Sequence, residues 1–319
     1  PSFSGWEDVS SLPDNMRAIL EAKVPWMSVK QVLIQESSRQ DTFKAALEVE
    51  GGQYIESVLM KNARGHWTIC VSSQVGCAMR CGFCATGKMG LIRSLDADEI
   101  VDQYRFWVAF LRDHSDLSPR VSNVVFMGMG EPMANYHHVR SALNTWLDHT
   151  NLGRTRITVS TVGVLPRLEQ LLDDTLWPHV RLAVSLHSAD PLVRKRIVPT
   201  SHDDFLFKLA DWARRYLAKF GNRRHHLTFE YVLLSGVNDT DAQAKQLADF
   251  VISIGNVRVN LIPYNFTGVE FQCSNPAQIE RFQATLQERG ITVTLRRTMG
   301  DDIAAACGQL ATETDAPPK

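Results

Sequence analysis

Short apolar runs and amphipathic stretches take turns along most of this chain. The runs Tyr54–Met60, Trp67–Val71, Asn123–Met127, Arg156–Ser160, Val180–Leu186, Leu227–Leu233 and Arg258–Ile262 are brief and bounded by turn-forming residues, as buried strands are. Between them the apolar positions recur with a helical period. One helix is predicted from a cap at Asp96 or Asp98 to about Arg112, with Ile100, Tyr104, Val108 and Leu111 on one stripe. Others follow over His138–Leu147, Pro166–Leu172, Phe205–Phe220 and from a Thr240 cap to Ile254. Asn275 and Pro276 open the last long helix, with Ile279, Phe282 and Leu286 facing inward. Before Gln53 the pattern is mixed, although Leu12-Pro13-Asp14-Asn15 resembles a helix entry with Met16 and Leu20 along one face. The alternation predicts an α/β fold, a parallel sheet with helices outside. About six β/α units are present, too few to close an eight-stranded barrel.

Length and composition narrow this little. The 319 residues, 44% apolar and 22% charged, suit one large or two modest soluble domains. The expected division is an N-terminal accessory region over 1–52, a core over 53–311 and a loose tail over 312–319. No apolar run approaches a membrane span and no signal peptide opens the chain, so a cytoplasmic protein without a membrane partner is expected. A net charge of −1 provides no general attraction for nucleic acid. Local clusters at Arg194-Lys195-Arg196, Arg214-Arg215, Arg223-Arg224-His225-His226 and Arg296-Arg297 could bind phosphate, though each alone reads as a solvated helix end or loop.

Cysteine placement changes the picture. Cys77, Cys81 and Cys84 stand in a C-x3-C-x2-C spacing on a loop after a strand. Thiolates this close can hold an iron–sulfur cluster, and three ligands on a four-iron cluster leave one iron open. Zinc is the alternative, but structural zinc takes four ligands in paired knuckles, and no second pair follows. A disulfide fits an odd trio poorly. Cys70 and Cys307 lie far from the trio, and a free cysteine is usually a small buried hydrophobe. Cys273 reads as structural. Gly128-Met129-Gly130-Glu131 sits at a strand end, where glycines let backbone approach a ligand and a carboxylate can accept from an ammonium.

These motifs together resemble the RlmN/Cfr family of radical S-adenosylmethionine (SAM) RNA adenine methyltransferases. The likeness rests on the trio, Cys70-Val71-Ser72-Ser73-Gln74 ahead of it, Gly128-Met129-Gly130-Glu131-Pro132, Ser185-Leu186-His187, and Asp302-Ile303-Ala304-Ala305-Ala306-Cys307-Gly308-Gln309-Leu310. It runs from about Trp6 to Leu310. It implies a partial (β/α)6 barrel with a short accessory region. Cys77, Cys81 and Cys84 would then ligate one 4Fe-4S cluster whose open iron takes SAM. Gly130, Glu131, Ser160, Ser185, His187 and Asn265 would line the SAM site. Cys307 matches the methyl-carrying cysteine, Cys70 the resolving cysteine and Glu56 the proton acceptor.

The chemistry implied uses two SAM molecules per turnover. One methylates Cys307; the other yields a 5′-deoxyadenosyl radical that activates the S-methyl group for addition to adenine. Cys70 then releases the methylated base from the transient protein–RNA crosslink and forms a disulfide with Cys307. The resemblance implies methylation at C2 of an adenosine in 23S rRNA, with tRNA beside the anticodon as a second substrate, a flavodoxin or ferredoxin as electron donor, and a monomer. Pro132 after Gly130-Glu131 matches the C2 type, whereas Ala85-Thr86-Gly87 also occurs in C8 enzymes that confer ribosomal antibiotic resistance. A non-catalytic iron–sulfur electron carrier or sensor is the alternative from another class. Ala304, Met299 and Ser94 depart from residues usual in the family. Family members also carry a further helical segment before the position of Pro1, so the accessory region is expected to be truncated.

Overall fold

The computed structural model describes residues 3–62, 64–222 and 227–311. Helix α1 (Asp14–Lys23) follows Pro13, as its entry pattern predicts. Four strands, β1 (Lys30–Glu36), β2 (Thr42–Val49), β3 (Gln53–Lys61) and β4 (Trp67–Cys70), then form an antiparallel meander. A small antiparallel hairpin comes next, β5 (Gln74–Gly76) and β6 (Leu91–Ser94), with the short helix α2 (Ala85–Met89) between its strands.

Helix α3 (Ala97–Asp113) begins the regular alternation. It is followed by β7 (Val121–Phe126), α4 (Tyr136–His149), β8 (Ile157–Thr161), α5 (Leu165–Asp173), β9 (Arg181–Ser185), α6 (Pro191–Ile197), α7 (Phe205–Phe220), β10 (Leu227–Leu233), α8 (Asp241–Ile254), β11 (Val257–Pro263), α9 (Pro276–Glu288) and β12 (Thr292–Leu295). The main sheet runs β1-β2-β3-β4-β7-β8-β9-β10-β11-β12. Every pair from β4 onward is parallel and linked by a helical crossover, which makes six β/α units. No pairing joins β1 to β12 among the described residues, so the sheet stays open.

Local chemistry explains most boundaries. Asp96 and Glu99 form a capping box on α3, and Thr240 with Gln243 does the same for α8. Each box satisfies two helix-end N–H groups and contributes about 1 kcal/mol. Trp67, Trp107, Trp146 and Trp212 are fully buried in the core between strands and helices.

Three expectations need correcting. Val108 is 40% exposed, while Trp107 takes the inward position with Ile100 and Leu111. The same inner face buries Glu99, Asp102 and Gln103, because each bonds elsewhere in the fold. Glu99 pairs with Arg93, Asp102 accepts from the Ser28 N–H, and Gln103 bonds both N–H and C=O of Ser72. Second, β1 and β2 were not legible: β1 is an almost wholly exposed edge strand, and β2, with Ala45, Ala46 and Lys44, lacks β-branched patterning. The division expected at residue 52 falls between two paired strands, since β2 and β3 pair along their whole length. Third, Cys273 is exposed, with its backbone in a bridge with Leu234 and its sulfur against the Tyr264 backbone N–H. The Arg223–His226 cluster and the 312–319 tail lie outside the described residues.

Candidate active site

The cysteine trio sits at the tip of the β5–β6 hairpin. The Cys77 N–H donates to Gly90 O at 2.8 Å, closing the hairpin, and the Cys84 N–H donates to Cys81 O at 3.1 Å. Gly82 N–H reaches Ile197 O at 2.9 Å, which ties the loop to the end of α6. Gly87 must lack a side chain, because a Cβ there would stand 2.9 Å from Cys81 O.

All three cysteines border one open cavity at the C-terminal ends of the parallel strands. Burial, the largest cause, pushes the Cys77 thiol up to about 12 and raises Cys81 and Cys84, and the sulfurs also raise one another. Three thiols at this spacing, two of them buried, resist ionising together without a positive counterpart, which iron would supply. Among the described residues no three His, Cys, Asp or Glu side chains are placed to chelate a single metal ion. A cluster asks for something different, one thiolate on each of three irons spread around a rim.

Opposite the trio, strand ends supply the wall. Gly130 has φ +95°, and a Cβ there would lie 2.5 Å from the Gln74 Cβ, so glycine is what lets this strand end pack on the cluster hairpin. Glu131 is buried and accepts from the Met133 and Val162 N–H groups, both at 2.8 Å. Burial raises its carboxyl, and these bonds oppose the rise. Ser160 Oγ and Ser185 Oγ stand 3.4 Å apart on adjacent strands.

His187 has φ +58° and is buried, with its ring edge-on to Phe83 at 4.7 Å. Its Nδ1 accepts the Val232 N–H at 3.1 Å. Burial, aided by Arg194, lowers its pKa to about 3. The ring is therefore neutral with its proton on Nε2, on the cavity wall.

The segment after β12 closes the site. Asn265 Nδ2 donates to Cys307 O at 3.2 Å and its Oδ1 accepts from Thr298. Ala85 N–H donates to Gly308 O at 2.8 Å, and Thr86 Oγ1 donates to Leu310 O. The loop that carries the trio and the segment that carries Cys307 are thus bonded to each other. Cys307 borders the cavity with the trio, Gly130, Glu131, Ser160, Ser185, His187 and Asn265.

Cys70 and Glu56 are not on that lining. Cys70 is buried at the end of β4, its thiol pushed up to about 12 by burial first and Cys307 second. Glu56 on β3 pairs with the buried Lys44 at 2.9 Å and accepts the Ala311 N–H at 2.8 Å. It therefore anchors the Cys307-bearing segment from outside.

The basic clusters do not share a fate. Arg194 is internal, 1% exposed, donating to the carbonyls of Val162, Ser185 and Leu186 and lying 4.0 Å from the Phe205 ring centre. Lys195 pairs with Asp203, and Arg215 with Glu169 and Asp211. Arg296 lines the cavity and Arg297 is exposed. Sequence reasoning missed Arg194 and Arg296 as interior groups and Glu230 altogether. Glu230 did carry a signal, a lone carboxylate inside the apolar run Leu227–Leu233.

Residues 71–248 match the family model described as the radical SAM superfamily. The chain is 40% identical over 310 residues to the dual-specificity RNA methyltransferase RlmN of Alkalilimnicola ehrlichii, covering 96% of this chain and 83% of that one. A probable dual-specificity RNA methyltransferase RlmN of Salinibacter ruber is also 40% identical, over 97% of this chain and 84% of the relative. The crystal structure of a radical SAM methyltransferase from Sphaerobacter thermophilus superposes with a TM-score of 0.90 at 38% identity, covering 98% of this chain and 89% of that one.

Proposed function

The chain belongs to the radical SAM superfamily and, within it, to the RlmN family of RNA methyltransferases, and on that premise we propose that it methylates C2 of an adenosine in 23S rRNA and in tRNA beside the anticodon. The observation that carries this reading is the bonding of the trio's loop to the Cys307 segment around one cavity. An electron carrier would need no such link.

Cys77, Cys81 and Cys84 would hold a 4Fe-4S cluster, one per chain. When bound, the cluster supplies the electron that cleaves SAM reductively, delivered to it by a flavodoxin or ferredoxin. The residues around the cavity bind and orient the substrate. Ser160, Ser185, Asn265 and the Nε2–H of His187 offer hydrogen bonds in a largely apolar space, with Gly130 and Glu131 at the amino-acid end of SAM. Cys307 accepts a methyl group from a first SAM and later carries it, covalently, to the base. Cys70 lies close enough to feel the Cys307 charge, and it would attack the Cys307 sulfur to free the methylated base. Glu56 faces Lys44 as a carboxylate and would take the ring proton once that pair opens. The monomer would be its working form.

Nucleoside mass spectrometry of treated rRNA and tRNA, against 2-methyladenosine and 8-methyladenosine standards, tests the reading. The 2-methyl product is expected. An 8-methyl product would overturn the regiochemistry, and no methylated adenosine at all would overturn the function.

A further inference from the structure

Arg296 is the only arginine or lysine among the described residues that line the cavity. Its backbone N–H continues the β11–β12 pairing by donating to Leu261 O at 2.8 Å. Its guanidinium bonds only a thioether, Met127 Sδ, at 2.9 Å. No carboxylate pairs with it among the described residues. Glu230 borders the same cavity, 3% exposed, with Oε1 accepting from Asn260 and Oε2 lacking a partner. A cation and a carboxyl thus share one low-dielectric space without closing on each other.

A half-buried guanidinium with donors to spare on a cavity wall is suited to hold an anion. A visiting RNA phosphate suits the exposed neighbour Arg297 better, because Arg296 lies inside, beyond the strand ends. The candidates already in place are sulfurs. Arg296 and Cys307 line the same cavity, and Cys307 first, then Glu230 and Cys70, raise the pKa of the arginine while burial lowers it. Met127 connects the same groups by contact, its Sδ on Arg296 and its backbone N–H on the Cys70 sulfur.

We propose that Arg296 is a positioning residue for the methylation of Cys307, its guanidinium pairing with the sulfur while that sulfur is an anion facing the methyl donor. The proposal rests on the functional reading above. In the step itself the thiolate lone pair forms the new S–CH3 bond. The sulfonium–methyl bond breaks, its electron pair stays on the departing sulfur, and S-adenosylhomocysteine leaves. Negative thiolate and positive sulfonium cancel, so the counter-charge is needed before transfer and released after it.

The test compares Arg296→Met, Arg296→Lys and unaltered protein, each reconstituted anaerobically with iron and sulfide. Cys307 is the only cysteine beyond Arg297, so its tryptic peptide reports on it alone. Transfer from SAM carrying a deuterated methyl group is followed on that peptide by mass spectrometry, and iron content is read in parallel. Arg296→Met should slow labelled methylation at least tenfold, and Arg296→Lys should recover to within about threefold of the unaltered rate. Iodoacetamide labelling of the same peptide, run with and without prior chelation, should show the same order. Loss of iron in a variant therefore leaves the comparison intact. Equal rates for the methionine variant and the unaltered protein in both assays would overturn the proposal. So would a lysine variant as slow as the methionine one in labelling. If unaltered protein never methylates Cys307 although iodoacetamide still ranks the variants, the functional reading fails and the pairing of Arg296 with the sulfur stands.

Discussion

His187 makes the protein sensitive to acid in a way that can be measured. Its ring is buried, and Nδ1 accepts the Val232 N–H at 3.1 Å, which a protonated ring could not do. Burial, then Arg194, lowers its pKa from 6.5 to about 3. The unfolded chain therefore takes up a proton below pH 6.5 that the folded protein refuses until near pH 3. Stability attributable to this group is intact above the unfolded pKa and falls as the pH drops between those values. Between pH 7 and pH 5 the loss is about 2 kcal/mol.

The comparison is with His187→Asn. Asparagine keeps an oxygen acceptor near Nδ1 and tolerates the φ of +58°, so it removes the titration with little added strain. Urea unfolding of both proteins, metal-free and reduced, at pH 7, 6 and 5 isolates the group, since all other titrations cancel in the difference. At a slope near 3 kcal/mol per molar, the unaltered midpoint should fall by roughly 0.7 M more than the variant's. Parallel midpoints across that range would show that burial does not hold the ring neutral.

Anaerobic reconstitution should load about four irons per chain, and joint replacement of Cys77, Cys81 and Cys84 by alanine should abolish loading; substantial cluster in that variant would reject the ligand set. Cys70→Ala should stall after the base is attached, so protein purified from cells should carry nuclease-sensitive RNA joined to Cys307, and turnover at the unaltered rate would end the resolving role. Ala304 is exposed with φ +51°, where a side chain costs energy that glycine avoids. Ala304→Gly should raise stability by roughly 0.5–1 kcal/mol, read as a higher thermal midpoint, and a lower midpoint would contradict the strain argument.

Much of the architecture was written locally. Helix Phe205–Phe220 and strand Leu227–Leu233 have the bounds their patterns predict, because each ends where its own periodicity ends. The trio's spacing and the Thr240 cap are likewise short-range features, decided within a few residues. Periodicity, however, tells which face of an element is buried and not what it is buried against. Nothing near Arg194 distinguishes it from Lys195, yet one sits inside holding three carbonyls and the other meets Asp203 on the surface. Likewise β2 becomes a strand because β3 offers it a pairing edge, β1 because β2 in turn offers one, and Glu56 meets Lys44 because β2 and β3 align. Cys70, Glu230, Arg296 and Cys307 are scattered from β4 to the last described turn, and their mutual influence exists only because the parallel strand ends surround one space. Short-range preferences chose the elements; the gathering of charge and sulfur around one cavity belongs to the tertiary fold, since only folding brings the Arg296 guanidinium and the Cys307 thiol to the same wall.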